Sequence, residues 1–461
     1  MATRKEQLTA TEFSRRRVLG AMLRPTAGGV GEGVPRPFRA YFVAAVVVVI
    51  ALGVAAAVGY MNPKPKDGWK KGLIADGTGT EYVMFNGKLH PLVNGTSARL
   101  LFGPTATASH PKDSQLAPYL HDVGPAVGLP KVPGNLPPAS ALDLKDFTAC
   151  ATPADRTVLE IGFPTPSGPD ALSGEDALLV QDDAGQQWVL EDGLKYRIGD
   201  RAVVAAAFAT AAVHPRHVPD TWLDGISAGD VLGIPTISGR YGDQDPHPAP
   251  PGFDRIGMFG KTLTPAGTAS DYYLVTGDGV ASVTPTMYEL YQRDPRLSAF
   301  KFTETVLPIG KVTPDMMVAT AASQTLSWPT QPPHFSNTWQ DRATPSASVL
   351  CATFAGTFDQ QGRAHVEVAL RGALPAPVTP DAAVVVRPGH AVVVRESGTD
   401  PATGPEYLLA DTGVRYQLID AAALRLGYDS IASCEVPAQW LRLVPKGTPL
   451  DPAKAGEPAG P

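Results

Sequence analysis

QWVLEDGLKYRIGD, residues Gln187–Asp200, decides the fold of most of this chain. Trp188 and Val189 begin an alternating run that reads as a strand. Glu191–Asp192–Gly193 carries the Asp-Gly signal of a tight hairpin turn. Leu194, Tyr196 and Ile198 alternate again as a second strand. Asp200 then precedes AVVAAAF, where a short polar side chain caps a helix by accepting from exposed backbone N–H groups. The unit is a hairpin followed by a capped helix, too small to bury a core alone.

The same spacing recurs. Tyr82–Val83, Gly87, His90, Leu92 and Asn94 match Trp188–Val189, Gly193, Tyr196, Ile198 and Asp200. Tyr407–Leu408, Gly413, Tyr416, Leu418 and Asp420 match with one residue inserted, and Tyr273–Leu274, Gly279, Ser282, Thr284 and Thr286 form a weaker copy. The expected helix N-caps are therefore Asn94, Asp200, Thr286 and Asp420. Two copies share an exit: VPDTWL (Val218–Leu223) and VPAQWL (Val436–Leu441). The repeats are placed at 68–128, 172–235, 259–312 and 388–450.

Segments 140–170 and 313–387 fall outside the repeats and read as two parts of one central β domain. Beyond Pro63 the chain holds most of its 46 Gly and 46 Pro, yet short β-rich runs recur at Val158–Ile161, Val349–Phe354, His365–Leu370, Val384–Val386 and Val392–Arg395. The expected class is mainly β with short helices (α+β), in an elongated ectodomain. The tail 451–461 lacks apolar periodicity and reads as mobile.

Cys150 and Cys351 lie in similar β-prone contexts, FTACAT and VLCATF, one in each central segment. They are the expected disulfide, leaving Cys434 as the odd thiol. A loop of this size gives roughly 4–5 kcal/mol in the chain-entropy account, an upper figure.

AYFVAAVVVVIALGVAAAVGYM (Ala40–Met61) contains no charged residue. As a helix it reaches roughly 33 Å at about 1.5 Å per residue, enough to cross a hydrocarbon core of about 30 Å. It is read as one N-terminal transmembrane helix at 40–61. Segment 1–39 carries Arg4, Lys5, Arg15, Arg16, Arg17, Arg24, Arg36 and Arg39 against three acids, which places it in the cytoplasm. Arg4 to Leu23 reads as a basic amphipathic helix, with Arg15, Arg16 and Arg17 facing the membrane or a partner. The bulk is then extracytoplasmic, where a disulfide persists. The net charge of −6 argues against nucleic acid as a partner.

Motifs that carry chemistry are weak. GISAG (Gly225–Gly229) fits a nucleophile elbow at Ser227, but the repeat alignment sets Ser227 opposite Pro445, and no clear buried strand precedes it. Gly260–Lys261–Thr262 lacks the earlier glycine of a phosphate loop; Arg255 stands there. His214 and His217 are separated by Pro215 and lack a third ligand in register. Asn94–Gly95–Thr96 is a sequon by pattern, better explained as a cap. No catalytic residue, cofactor or metal site is expected.

RKEQLTATEFSRRRVLGAML, one span, and then EYVMFNGKLHPLVNGTSARLLFG together resemble the EccB component of type VII (ESX) secretion systems. The matching residues are Arg4, Gln7, Leu8, Phe13, Arg15, Arg16, Arg17 and Val18, followed by Tyr82, Val83, Gly87, His90, Pro91 and Asn94. The resemblance implies a core subunit of an inner-membrane secretion complex, assembled with EccC, EccD and EccE. It implies self-association through the ectodomain and a central cysteine pair mapping onto Cys150 and Cys351. Members often carry an ATPase label, which no motif here supports. The rival expectation is a tethered cell-wall binding module, with Trp188, Tyr196, Tyr273, Tyr407 and Tyr416 stacking on sugars.

Overall fold

The computed structural model describes residues 4–23, 46–50 and 68–459, except 167–170, 173, 175, 318–325, 344–347, 377, 379–382 and 401–402. The chain divides into two compact units, Met1–Lys71 and Gly72–Pro461. In the first, Arg4–Leu23 is one helix. It is not cleanly amphipathic: at 100° per residue Arg15 falls in the same arc as Leu8, Leu19 and Met22, and Phe13 lies opposite. Arg15, Arg16 and Arg17 are exposed, and Arg16 pairs with Glu12 at 3.1 Å. The span read over Ala40–Met61 lies outside the described residues apart from 46–50. Among the described residues no helix is long and apolar enough to cross a membrane.

The second unit contains five sheets among its described residues, with short helices between them, a mixed α+β fold. Four of the sheets share one topology. Three strands run as an antiparallel meander: Ile74–Ala75, Glu81–Phe85 and Lys88–Pro91; Leu178–Gln181, Gln187–Glu191 and Leu194–Arg197; Phe259–Leu263, Ala269–Thr276 and Gly279–Val283; Ala391–Glu396, Glu406–Ala410 and Arg415–Leu418. A helix follows each meander: Gly95–Phe102, Arg201–Phe208, Pro285–Tyr291 or Ala422–Leu426. The chain then returns parallel to the first strand, at Ser109, Arg216–His217, Thr305–Leu307 and Cys434–Val436. Last, it lies parallel to the third strand, at Val127, Leu232, Met317 and Leu450.

Asn86–Gly87 and Asp192–Gly193 have positive φ at both turn residues, the geometry that matches strand twist in two-residue hairpins. Asn94 Oδ1 accepts from Ser97 N at 2.8 Å, and Asp200 Oδ1 from Val203 N at 3.1 Å. The other two cap assignments are corrected. Thr284 caps the third helix, accepting from Met287 N, because Pro285 suits the first helical position and starts the helix two residues early. Thr286 is fully buried instead. Asp420 adopts a φ of 49° and caps nothing; the helix begins after Ala421 without a side-chain cap.

The fifth sheet collects distant pieces in the order Ala364–Arg371, Val349–Phe358, Phe147–Ala151, Thr157–Ile161, Val384–Val386. The second and fourth sheets press their hairpin turns onto its two edges. A Cβ on Gly193 (φ 72°) would sit 2.6 Å from Val366 O, and one on Gly413 (φ 71°) 2.7 Å from Val384 O. Only glycine accepts both the backbone conformation and the approach. The first and fourth sheets meet through their helices, where Arg99 donates to Leu426 O and lies over the Tyr428 ring. The helices of the second and third sheets also pack together, with Leu290 entering the core beside Val203 and Val204.

The C-terminal segment is docked rather than mobile. Ala455 is fully buried, Ala459 N donates to Ala126 O at 2.8 Å, and Gly128 N donates to Glu457 O. Its short apolar residues lack the periodicity that marks an element, yet pairing along the first sheet's exit satisfies their backbone.

Candidate functional site: a disulfide-locked junction

Cys150 and Cys351 are direct antiparallel partners in the fifth sheet, with Cα atoms 4.0 Å apart, and are joined by a disulfide. Both are fully buried. The bridge ties strands 201 residues apart in sequence. Glu160, on the neighbouring strand, is also buried; its carboxylate accepts from Arg371 at 2.7 Å, and Arg371 also donates to Pro164 O. Burial pushes the Glu160 carboxyl up, outweighing the opposing pull of Arg371. Cys434 is a free, half-buried thiol whose pKa burial raises. It lines a cavity of about 560 Å³ between the fifth and fourth sheets.

The two matching exits converge on this sheet. Trp222 and Trp440 are completely buried in the same core as Phe147, Leu159, Leu350 and Phe354. Trp222 Nε1 donates to Ala149 O at 2.9 Å, next to the disulfide. Trp440 Nε1 donates to Gly225 O at 2.7 Å, in the other exit, so the two exits lock through each other. The exit glycines match as well: a Cβ on Gly229 or Gly447 would strike the ring of Tyr196 or Tyr416. Each large indole fills volume and finds its required acceptor.

Two buried polar residues tie the second sheet to the segment before Val349. Gln340 pairs like a strand with Leu179, accepting from its N at 3.0 Å and donating to its O at 3.2 Å. Arg216 donates to Ala343 O, to Ser348 Oγ at 2.8 Å and to Ser348 O at 2.8 Å. Burial lowers the Arg216 guanidinium to about 10. Neither residue is recoverable from the sequence. A single polar residue in a β-prone run reads as solvent-facing until its distant carbonyls are known.

Ser227 is a strand residue paired parallel with Leu194, not the corner of a strand-to-helix turn. Gly260–Thr262 lie within the strand Phe259–Leu263, so no phosphate-cradling loop exists there. His217 contacts Asp155 at 3.0 Å and Asp183 at 3.2 Å in an exposed group, while the His214 carbonyl accepts from Gln340. Tyr196, Tyr273 and Tyr416 are buried in the cores of the second, third and fourth sheets, which withdraws them from stacking on sugars. Trp188 and Tyr407 are half-buried against the core of the fifth sheet.

A family model described as "Type VII secretion system ESX-1, transport TM domain B" matches residues 1–457. The chain is 28% identical over 439 residues to the ESX-2 secretion system ATPase EccB2 of Mycobacterium tuberculosis (strain ATCC 25618 / H37Rv), covering 88% of this chain and 85% of that one. It is 27% identical over 295 residues to the ESX-1 secretion system ATPase EccB1 of the same strain, spanning 62% of this chain and 60% of that protein's length. The fold resembles a chain in an intact ESX-5 inner membrane complex, with a TM-score of 0.64, 23% identity, and 100% and 96% of the two chains covered. It also resembles the EccB3 dimer from the ESX-3 core complex, with a TM-score of 0.60, 24% identity, and 84% and 100% covered.

Proposed function

Because the chain belongs to the EccB family of type VII (ESX) secretion systems, we propose that it is a structural core subunit of the inner-membrane secretion complex, scaffolding its extracytoplasmic side. The observation that carries this reading is the family match over residues 1–457, which takes in both the basic N-terminal helix and the disulfide-bonded fold. On this reading Ala40–Met61 crosses the membrane once, 1–39 is cytoplasmic, and 68–450 forms four hairpin–helix repeat domains around a central β domain at 140–170 and 313–387. Residues Arg15, Arg16 and Arg17 face anionic headgroups or a partner. Partner subunits are of the EccC, EccD and EccE type, and copies of this chain associate through the ectodomain. The ATPase in the relatives' names is not carried over, since Gly260–Thr262 here is a strand.

Two experiments test it. Affinity purification from membranes in mild detergent should recover the three partner types; recovery of this chain alone contradicts the role. Labelling intact cells with a membrane-impermeant amine reagent should modify Lys88 and Lys311 and spare Lys5. The reverse pattern inverts the topology.

A further inference from the structure

The two exits that lock over the fifth sheet leave a cavity of about 500 Å³ between them. Equivalent positions of the two copies face it: Thr221 opposite Gln439, and Asp224 opposite Arg442, with Lys195 and Ser227 completing the wall. Lys195 is buried, its side chain only 9% exposed. It donates to Leu223 O at 2.8 Å, lies 3.6 Å from Asp224 and sits 5.3 Å from the Trp188 ring centroid. Thr221 is already bonded to Thr157 at 2.6 Å. The side chains of Ser227, Gln439 and Arg442 have no hydrogen-bond partner among the described residues.

Two cations and one carboxylate leave this wall with a net positive charge. Its uncommitted groups are rich in donors: a guanidinium fork, an amide and a hydroxyl, backed by the charge of a buried ammonium that is itself bonded to Leu223 O and paired with Asp224. Such a set is complementary to a planar or tetrahedral oxyanion, which the guanidinium engages in bidentate fashion. We propose that this cavity is a binding site for a small oxyanion-bearing ligand, a carboxylate or a phosphate, held by Arg442 and Gln439 with Lys195 behind them. The site is independent of the scaffolding role, which does not require it. It also gives Ser227 a place as a hydroxyl donor rather than a nucleophile.

The test is isothermal titration of the full-length chain in detergent with inorganic phosphate and, separately, succinate, at constant ionic strength. Saturable binding of either probe at one site per chain is expected. Arg442→Ala should weaken it by about tenfold or more and Gln439→Ala by a few-fold, as loss of charge-assisted and neutral hydrogen bonds implies. Arg442 is exposed, so its replacement leaves the fold intact, which circular dichroism checks. Lys311→Ala, at an exposed cation that does not line the cavity, should change nothing. Binding of one probe alone fixes the oxyanion class. No saturable binding of either probe, or equal affinity in Arg442→Ala and the unmodified chain, overturns the proposal.

Discussion

Replacing Trp440 by alanine tests whether the two exits lock through each other. The side chain is completely buried, its ring centroid lies 6.5 Å from that of Phe354, and Nε1 donates to Gly225 O at 2.7 Å. Truncating a buried Trp costs about 3–5 kcal/mol through lost contacts and the cavity left behind. The abandoned Gly225 carbonyl adds about 1–3 kcal/mol if water does not reach it. The expected loss for Trp440→Ala is thus about 4–8 kcal/mol. Trp440→Phe keeps most of the ring and removes the donor, so it should lose about 1–3 kcal/mol. Urea unfolding of the purified chain, followed by circular dichroism, measures both. A loss below about 1 kcal/mol for Trp440→Ala refutes the reasoning, because no buried Trp in a packed junction is so cheap. A loss near zero for Trp440→Phe would show that the hydrogen bond from Trp440 to Gly225 contributes nothing.

Further outcomes follow from other parts of the fold. Cys150→Ser with Cys351→Ser should lower stability by up to about 4–5 kcal/mol, and reducing agent should reproduce that loss in the unmodified chain. Glu160 has a folded pKa raised above its ordinary 4.5, so the folded state holds its proton longer than the unfolded state. Its contribution to stability is complete below pH 4.5 and is lost as pH rises through the folded value. Relative to Glu160→Gln, the unmodified chain should therefore lose stability on going from pH 4.5 to pH 7, and a gain would contradict the shift. Thr284→Ala should cost about 1 kcal/mol through the lost cap. Thr286→Val, which removes a buried hydroxyl that has no hydrogen-bond partner among the described residues, should be neutral or stabilising by up to about 1 kcal/mol in thermal unfolding.

The hairpins were legible because Asn-Gly and Asp-Gly turns between alternating runs are local signals. The cysteine pair was legible because both residues sit in matching β-prone contexts. The third cap, Thr284, lies two residues before the position that the spacing of the other copies gives, and the signal for it is Pro285 at the first helical position. The matching Trp exits were visible as a repeat, but the Trp440–Gly225 bond joining one exit to the other is a long-range fact that no window contains. Arg216 and Gln340 lay beyond sequence reading for the same reason. Their partners, Ala343, Ser348 and Leu179, are more than 120 residues away. The docked tail, with one short 3-10 turn at Lys454–Gly456, shows that missing periodicity does not exclude an ordered segment.

The native mass of the assembly extracted in mild detergent, measured by mass photometry, tests the scaffolding account most directly. The account predicts a particle many times the 48.4 kDa of one chain, holding several copies of it beside its partners. A single population at the mass of one chain plus its micelle would contradict it.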